Sequence, residues 1–182
     1  MSKTILITGG TRSGKSSFGE KLLKDSDDVL YIATSKVFDS EMAERVRLHK
    51  ERRNPKWETY EGYKDISKVI ESTEKNKIML ECVGTMVTNL MFDTYEDFEG
   101  VSKEDVRVME NEILKEFTNI IEAVKNYNKE LILITNEVGL GLVSEYKLGR
   151  IFTDILGRIN QRLGEVSDQV YLTACGIPLK LK

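Results

Sequence analysis

The sequence has little of what marks secreted, membrane-spanning or nucleic-acid-binding proteins. Its two cysteines, Cys82 and Cys175, are too far apart for a disulfide framework or a cysteine metal cluster, so a reducing compartment is expected. No apolar run approaches the length of a membrane span, and the first residues do not form a signal peptide. The formal net charge of −3 argues against a generic nucleic-acid binder, which should be basic. We therefore expect a cytoplasmic protein with no nucleic-acid partner and no stable membrane insertion.

Proline and histidine are also scarce. The only prolines are Pro55 and Pro178, so no proline-rich hinge divides the chain. The 182 residues are one domain's length, and we expect a single domain over 1–182. His49 is the only histidine, so any imidazole chemistry must use it.

Short apolar runs alternate with helical patterns along the chain. Predicted strands cover 3–8, 28–34, 77–82, 130–135 and 169–174, with a last short one at 178–181. Predicted helices follow the first strand, cover about 40–53, run from a Ser102–Asp105 capping signal to Val124, and cover about 147–165. The acidic, aromatic stretch Phe92–Gly100 is predicted to be an exposed loop. This alternation predicts an α/β fold with a doubly wound, mostly parallel sheet that binds ligands at the carboxyl ends of its strands.

A phosphate-binding loop follows the first predicted strand. Residues 9–16, Gly-Gly-Thr-Arg-Ser-Gly-Lys-Ser, fit the P-loop pattern G-x-x-x-x-G-K-[ST] and precede a predicted helix, the context that the motif requires. The glycines let backbone amides surround phosphate oxygens. Lys15 should reach the β- and γ-phosphates, and the Ser16 hydroxyl should ligate Mg²⁺. The fold is therefore expected to be of the P-loop NTPase type.

A second metal ligand, a carboxylate, is expected at the end of a neighbouring strand, and Glu81 is the best candidate. Glu81 could also be a carboxylate at the rim of the sheet with no metal role.

A P-loop alone is compatible with a switch GTPase, an ATP-driven machine or a small-molecule kinase. The guanine-reading Asn-Lys-x-Asp motif is absent, and the chain is small for a motor. The sequence therefore favours a kinase.

The segment around His49 is basic. Arg45, His49 and Arg52 or Arg53 recur at three- and four-residue spacing, so they share one face of a predicted helix. Guanidinium groups can neutralise phosphates, and a neutral imidazole can attack an α-phosphorus as a nucleophile. The pattern alone favours a solvated basic helix with an incidental histidine, because charge runs usually mark solvated faces.

Several distinctive motifs occur along essentially the whole chain. They lie at 7–16, 31–35, 39–46, 49–61, 80–90, 135–143 and 157–163. Together they resemble the bifunctional adenosylcobinamide kinase/adenosylcobinamide-phosphate guanylyltransferase family of cobalamin biosynthesis.

The resemblance implies a P-loop α/β homotrimer that phosphorylates adenosylcobinamide with ATP or GTP. It then implies transfer of GMP from GTP, through a guanylyl-histidine, to the corrinoid phosphate, with Mg²⁺ as the cofactor. His49 matches the guanylylated position, and Lys15 is the second catalytic residue. The implied nucleotide contacts are Gly9, Gly10, Thr11, Arg12, Ser13, Gly14, Lys15, Ser16, Ala33, Thr34, Ser35, Lys50, Glu51, Arg52, Arg53, Glu61 and Glu81. A kinase without the transferase step, or a nucleotide-binding module without turnover, are the alternatives.

Other polar and aromatic residues carry weaker indications. Asn136 and Glu137 end a predicted strand, where they could bind ligand or satisfy local backbone groups. An ordinary ion-paired helix surface is expected for Arg150, Asp154, Arg158 and Asn160. Trp57 and Tyr60 could stack on a base or corrinoid, but packing is the more common role of aromatic residues just past a helix and is expected for both. Cys82 and Cys175 are expected to be buried and inert.

Overall fold

A computed structural model describes residues 2–36, 44, 47 and 53–182. These residues contain one seven-stranded sheet in the order β3-β2-β4-β5-β1-β6-β7. All neighbouring strands are parallel except β6 and β7, which form an antiparallel hairpin. The strands are β1 (Lys3–Gly9), β2 (Val29–Ala33), β3 (Glu58–Glu61), β4 (Lys77–Glu81), β5 (Glu130–Ile134), β6 (Gln169–Ala174) and β7 (Ile177–Lys180).

Helices connect the parallel strands and cover both faces of the sheet. They are α1 (Lys15–Leu23), α2 (Ile66–Ser72), α3 (Val83–Thr94), α4 (Lys103–Asn126) and α5 (Lys147–Val166). Helix α1 packs on one face through Leu23 and Phe18, whereas α2 to α5 pack on the other. Helices on both faces bury the apolar strands β1, β2, β4 and β5, as expected for a doubly wound fold.

The two long helices confirm their sequence predictions. Helix α4 begins with a capping box in which the Ser102 hydroxyl accepts from the Asp105 amide and the Asp105 carboxylate accepts from the Ser102 amide. Its residues Met109, Ile113 and Phe117 are buried at helical spacing. Helix α5 ends one residue beyond the predicted boundary.

Three elements have no counterpart among the sequence predictions. Strand β3 is polar and mostly exposed, because it is the edge strand beside β2. Helix α2 is only seven residues long, too short for a strong periodic pattern. Helix α3 follows β4 immediately, with Cys82 as its N-cap residue.

Two predictions about local structure are wrong. The stretch Phe92–Gly100 is not simply an exposed loop, because α3 continues to Thr94 and Phe98 is only 3% exposed. The Phe98 ring packs edge-on against Phe92 and Tyr95. Cys175 is exposed rather than buried, because it lies in the tight β6–β7 turn with a φ of 52°.

The basic helix predicted over about 40–53 lies between β2 and β3. Most of its residues are outside the described part of the chain. Glu44 and Arg47 are described there, and both are helical. The Arg47 guanidinium pairs with the Glu44 carboxylate one turn earlier. Within the described ranges, no helix is both long and apolar enough to cross a membrane.

Candidate active site

Five parallel strands end side by side at one edge of the sheet. Strand pairing places Glu61, Ala33, Glu81, Ile134 and Ile7 in one row across β3, β2, β4, β5 and β1. Neighbouring strands are about 4.8 Å apart, so the backbone at Glu81 lies about 10 Å from that at Ile7. The P-loop starts two residues after Ile7, at the edge where doubly wound sheets bind ligands.

The P-loop adopts a conformation that requires glycine at two points. Gly14 has a φ of 98° and Gly9 a φ of 154°, and a Cβ on Gly9 would lie 2.4 Å from the Thr173 carbonyl oxygen. Arg12 has a φ of 57°, and the Ser13 amide donates to the Gly10 carbonyl across the turn. Helix α1 begins at Lys15, so the loop amides and the helix N-terminus face the same space.

The β6–β7 hairpin contacts the P-loop and stabilises its conformation. The Ser13 and Thr173 hydroxyls share a hydrogen bond of 2.9 Å, and the Thr173 hydroxyl also donates to the Thr8 carbonyl. The Gly176 amide donates to the Ser13 carbonyl at 2.9 Å. A Cβ on Gly14 would lie 3.0 Å from the α-carbon of Gly176, so the two chain segments touch. The loop conformation therefore depends on residues 160 positions later in the chain.

Lys15, Ser16 and Glu81 lie together, as the sequence predicted. The Lys15 ammonium donates to the Gly10 carbonyl at 2.7 Å, so the side chain folds back over the loop. Burial lowers the pKa of Lys15, while Cys82 and Glu81 oppose that shift. The Ser16 hydroxyl donates to Glu81 Oε1 at 2.6 Å. A hydroxyl and a carboxylate oxygen are thus adjacent, and both are ligand types that Mg²⁺ prefers.

The turn after Glu81 is held by buried polar groups. The Thr34 hydroxyl accepts from the Cys82 amide and donates to the Cys82 carbonyl at 2.8 Å. The buried Asn89 side chain donates to the Thr34 carbonyl at 2.7 Å. Cys82 is partly buried, and desolvation raises the pKa of its thiol, so the thiol is protonated at neutral pH. These contacts fix the positions of both strand ends that flank the site.

The remaining described nucleotide-contact candidates lie along the same edge or near it. Ala33 ends β2 beside Glu81, Ser35 follows two residues later, and Glu61 ends β3. The Arg53 guanidinium stacks on the Tyr31 ring, with its central carbon 3.7 Å from the ring centre. Gly10, Thr11 and Arg12 form the exposed part of the P-loop.

The proposed nucleophile His49 and its neighbours Lys50, Glu51 and Arg52 lie outside the described residues. Beyond that segment, the chain is anchored on the α1 side of the sheet. Trp57 is buried there, which confirms the packing prediction, and its indole Nε1 donates to the Ser26 carbonyl at 2.8 Å. Tyr60 packs against the core on the other face.

Two of the residues with weaker indications, Glu137 and Arg158, make local or surface contacts. The Glu137 carboxylate accepts from the Gly139 and Leu140 amides, so it satisfies local backbone groups. Arg158 pairs with Glu110 on α4, as predicted for an ion-paired surface.

Asn160 departs from that surface prediction. Its side chain accepts from the Thr135 hydroxyl and donates to the Asn136 carbonyl, linking α5 to the end of β5. Its spacing on α5 gave no signal of this contact, because the partner lies 25 residues earlier in the chain. Thr173, Gly176 and Asn89 were missed for the same reason.

No group of three or more histidine, cysteine and acidic side chains that could enclose a metal ion occurs among the described residues. A metal at this site would instead be held by Ser16, Glu81 and the phosphates of a bound nucleotide, which is the common arrangement for Mg²⁺.

Comparisons with known proteins show similarity over almost the whole chain. A family model described as cobinamide kinase / cobinamide phosphate guanyltransferase matches residues 5–181. Two relatives described as bifunctional adenosylcobalamin biosynthesis protein CobU, from Escherichia coli strain K12 and Salmonella typhimurium, are each 43% identical over 180 residues, which is 98% of this chain and 99% of theirs. The Pseudomonas aeruginosa bifunctional adenosylcobalamin biosynthesis protein CobP is 32% identical over 181 residues, covering 97% of this chain and 96% of its own.

Among solved structures, a KaiC-like protein from Pyrococcus horikoshii OT3 aligns with 93% of this chain and 71% of its own, at 14% identity and a TM-score of 0.49. The family match and the curated relatives extend over almost all of the chain. The chain therefore belongs to the cobinamide kinase / cobinamide phosphate guanylyltransferase family.

Proposed function

We propose that this protein carries out two successive reactions on one corrinoid substrate. It phosphorylates the aminopropanol hydroxyl of adenosylcobinamide with ATP or GTP. It then transfers GMP from GTP to adenosylcobinamide phosphate, forming adenosylcobinamide-GDP and releasing pyrophosphate. The observation that carries the proposal is the P-loop with Lys15 folded over it and the Ser16–Glu81 pair beside it.

In the kinase step, the nucleotide would bind at the edge of the sheet where the parallel strands end. The loop amides and the N-terminus of α1 bind the phosphates, and charged Lys15 offsets the negative charge that they bring. Ser16 and Glu81 would hold Mg²⁺, which would supply positive charge against the bound phosphates. The nucleotide-contact roles of Ala33, Thr34, Ser35 and Glu61 belong to this proposal, because these residues lie at or just after the strand ends. The nucleotide contact of Arg53, whose guanidinium stacks on Tyr31 of β2, is part of the same proposal.

The guanylyltransferase step uses His49. A neutral imidazole nitrogen attacks the α-phosphorus of GTP, a P–N bond forms, the α–β bridging P–O bond breaks, and pyrophosphate leaves. A phosphate oxygen of adenosylcobinamide phosphate then attacks the same phosphorus, and the imidazole is released. Lys50 and Arg52, which follow His49 closely in the chain, would neutralise the nucleotide phosphates. Glu51 is a carboxylate and only accepts hydrogen bonds, so its contact would be with hydroxyl or N–H groups of the nucleotide instead.

We also propose that the protein functions as a homotrimer with Mg²⁺ as its cofactor. Mass measurement by light scattering during size-exclusion chromatography checks the first part. A mass near three times 20.8 kDa is expected, and a monomeric mass in active protein would contradict it.

The test of the transferase step uses GTP labelled at the α-phosphate. We expect a covalent protein label that is labile in acid and stable in alkali, and that is absent from His49→Ala. Arg47→Ala is the matched control, because it removes a neighbouring basic residue whose side chain pairs with Glu44. Absence of label in protein that still phosphorylates adenosylcobinamide would leave a kinase with a single activity. Absence of both reactions in folded protein that binds GTP would leave a nucleotide-binding module.

A further inference from the structure

Strand β5 lies between the P-loop strand β1 and the Glu81 strand β4. The residues after its end therefore lie between the two parts of the site already described. These residues are Thr135, Asn136 and Glu137.

The main chain of these three residues is fixed on two sides. The Thr135 amide donates to the Ile7 carbonyl at 2.9 Å, and the Glu137 amide donates to the Gly9 carbonyl at 3.0 Å. On the other side, Asn160 accepts from the Thr135 hydroxyl at 2.7 Å and donates to the Asn136 carbonyl at 2.9 Å. The backbone of Asn136 is consequently held at a defined place relative to the start of the P-loop.

The side chains of the two flanking residues are already engaged. Thr135 binds Asn160, and the Glu137 carboxylate accepts from two backbone amides of its own loop. The Asn136 side chain is partly exposed and forms no hydrogen bond within the described part of the chain. Its Nδ2 lies beside Gly84, since a Cβ built on that glycine would be 3.5 Å from the amide nitrogen. The amide therefore lies near the start of α3, directly after the Glu81 turn.

We propose that Asn136 is a catalytic residue of the kinase step, and that its Nδ2 donates a hydrogen bond to the γ-phosphoryl group during transfer. This inference rests on the proposed kinase activity. An immobile backbone with an available amide donor is the arrangement that stabilises charge developing on transferred phosphoryl oxygens. A neutral amide suits this position, because a carboxylate there would repel both the phosphates and Glu81.

The chemical step balances without a proton on Asn136. The bond between the γ-phosphorus and the β–γ bridging oxygen breaks, and a bond forms between that phosphorus and the substrate hydroxyl oxygen. The hydroxyl proton leaves to solvent or to a nearby carboxylate. Asn136 donates a hydrogen bond throughout and changes neither charge nor covalent structure.

The test compares Asn136→Ala and Asn136→Asp with the parent protein and with Asn111→Asp, a matched change at an exposed position on α4. For both Asn136 variants we expect the kcat for adenosylcobinamide phosphorylation to fall about 100-fold, the typical effect of losing one preorganised donor. The KM for ATP should change less than about threefold in Asn136→Ala, because the contact strengthens in the transition state, whereas it should rise in Asn136→Asp, because the new carboxylate repels the phosphates. The melting temperature of Asn136→Ala should stay within about 2 °C of the parent, because the side chain makes no internal hydrogen bond.

A second readout separates this role from a general loss of the site. Formation of the guanylyl-histidine from GTP breaks the α–β bond, so we expect its rate in Asn136→Ala to remain within about threefold of the parent. A kcat within threefold of the parent in folded Asn136→Ala would overturn the inference. Equal losses in phosphorylation, guanylylation and thermal stability would also overturn it, since they indicate a structural role. If the parent itself performs neither reaction, the proposed function fails, whatever the Asn136 variants do.

Discussion

Replacing Thr173 by valine should weaken both the fold and nucleotide binding, although the residue lies at the far end of the chain from the P-loop. Thr173 is 2% exposed, and its hydroxyl contacts the Ser13 hydroxyl at 2.9 Å and the Thr8 carbonyl at 3.2 Å. Valine has the same shape but no hydroxyl, so it removes these bonds without creating a cavity. Losing a buried hydrogen bond and leaving a polar partner unsatisfied costs about 1–3 kcal/mol.

For a protein of this length, 2 kcal/mol corresponds to a fall in melting temperature of about 4–8 °C. If about 1 kcal/mol of the cost falls on the loop conformation that binds phosphate, the Kd for ATP rises about fivefold. Thermal unfolding followed by circular dichroism and titration calorimetry with ATP measure the two effects.

The matched control is Thr118→Val, which removes a hydroxyl bonded to the Leu114 carbonyl on the exposed side of α4. We expect less than about 0.5 kcal/mol of destabilisation and an unchanged Kd from this control. If Thr173→Val melts and binds ATP like the parent, the hairpin does not support the P-loop, and the reasoning is refuted.

Four further predictions follow from other interactions. Gly176→Val should destabilise the protein by at least about 1 kcal/mol, because Gly176 has a φ of 78°, which a β-branched residue adopts only with strain; an unchanged denaturation midpoint would contradict this. Glu81→Gln should raise the Mg²⁺ concentration needed for half-maximal phosphorylation about tenfold or more, and an unchanged Mg²⁺ dependence would remove Glu81 from the metal site. Trp57→Phe should cost about 1 kcal/mol in chemical denaturation, through the lost indole bond, with no change in the Kd for ATP. The affinity for ATP should be constant while Lys15 is charged, and it should fall as the pH rises through the pKa of Lys15, which burial holds below the ordinary 10.5. In Lys15→Ala we expect a weak affinity that does not decline at alkaline pH. The same decline in that variant would show that another group causes it.

The sequence predicted the fold well because its central strands are short apolar runs buried on both faces. The boundaries of β1, β4, β5 and β6 agree with prediction to within one residue. Strand β3 was not predicted, because Glu58–Glu61 is mostly exposed at the sheet edge. Backbone pairing with β2, rather than burial of apolar side chains, stabilises it. Cys175 was wrongly predicted to be buried, because its exposure follows from its place in the β6–β7 turn rather than from its residue type.

The candidate site was predictable where its signal is local. The P-loop motif contains its own glycines, lysine and serine, and Glu81 could be identified from its place at the end of a buried strand. Contacts made between distant parts of the chain were not predictable, because nothing near Asn160 indicates that it will bind the end of β5. Whether His49 receives GMP remains a prediction for the labelling experiment.

The dependence of the P-loop on the last hairpin has a consequence for biosynthesis. The ribosome makes Gly9 to Ser16 about 160 residues before Thr173 and Gly176, which hold that loop in shape. A nascent chain stalled before Thr173 therefore lacks these supports and should gain little protease resistance from added nucleotide, whereas the released chain should gain it. Newly made enzyme would then begin to bind cellular nucleotide only after the β6–β7 hairpin has been synthesised.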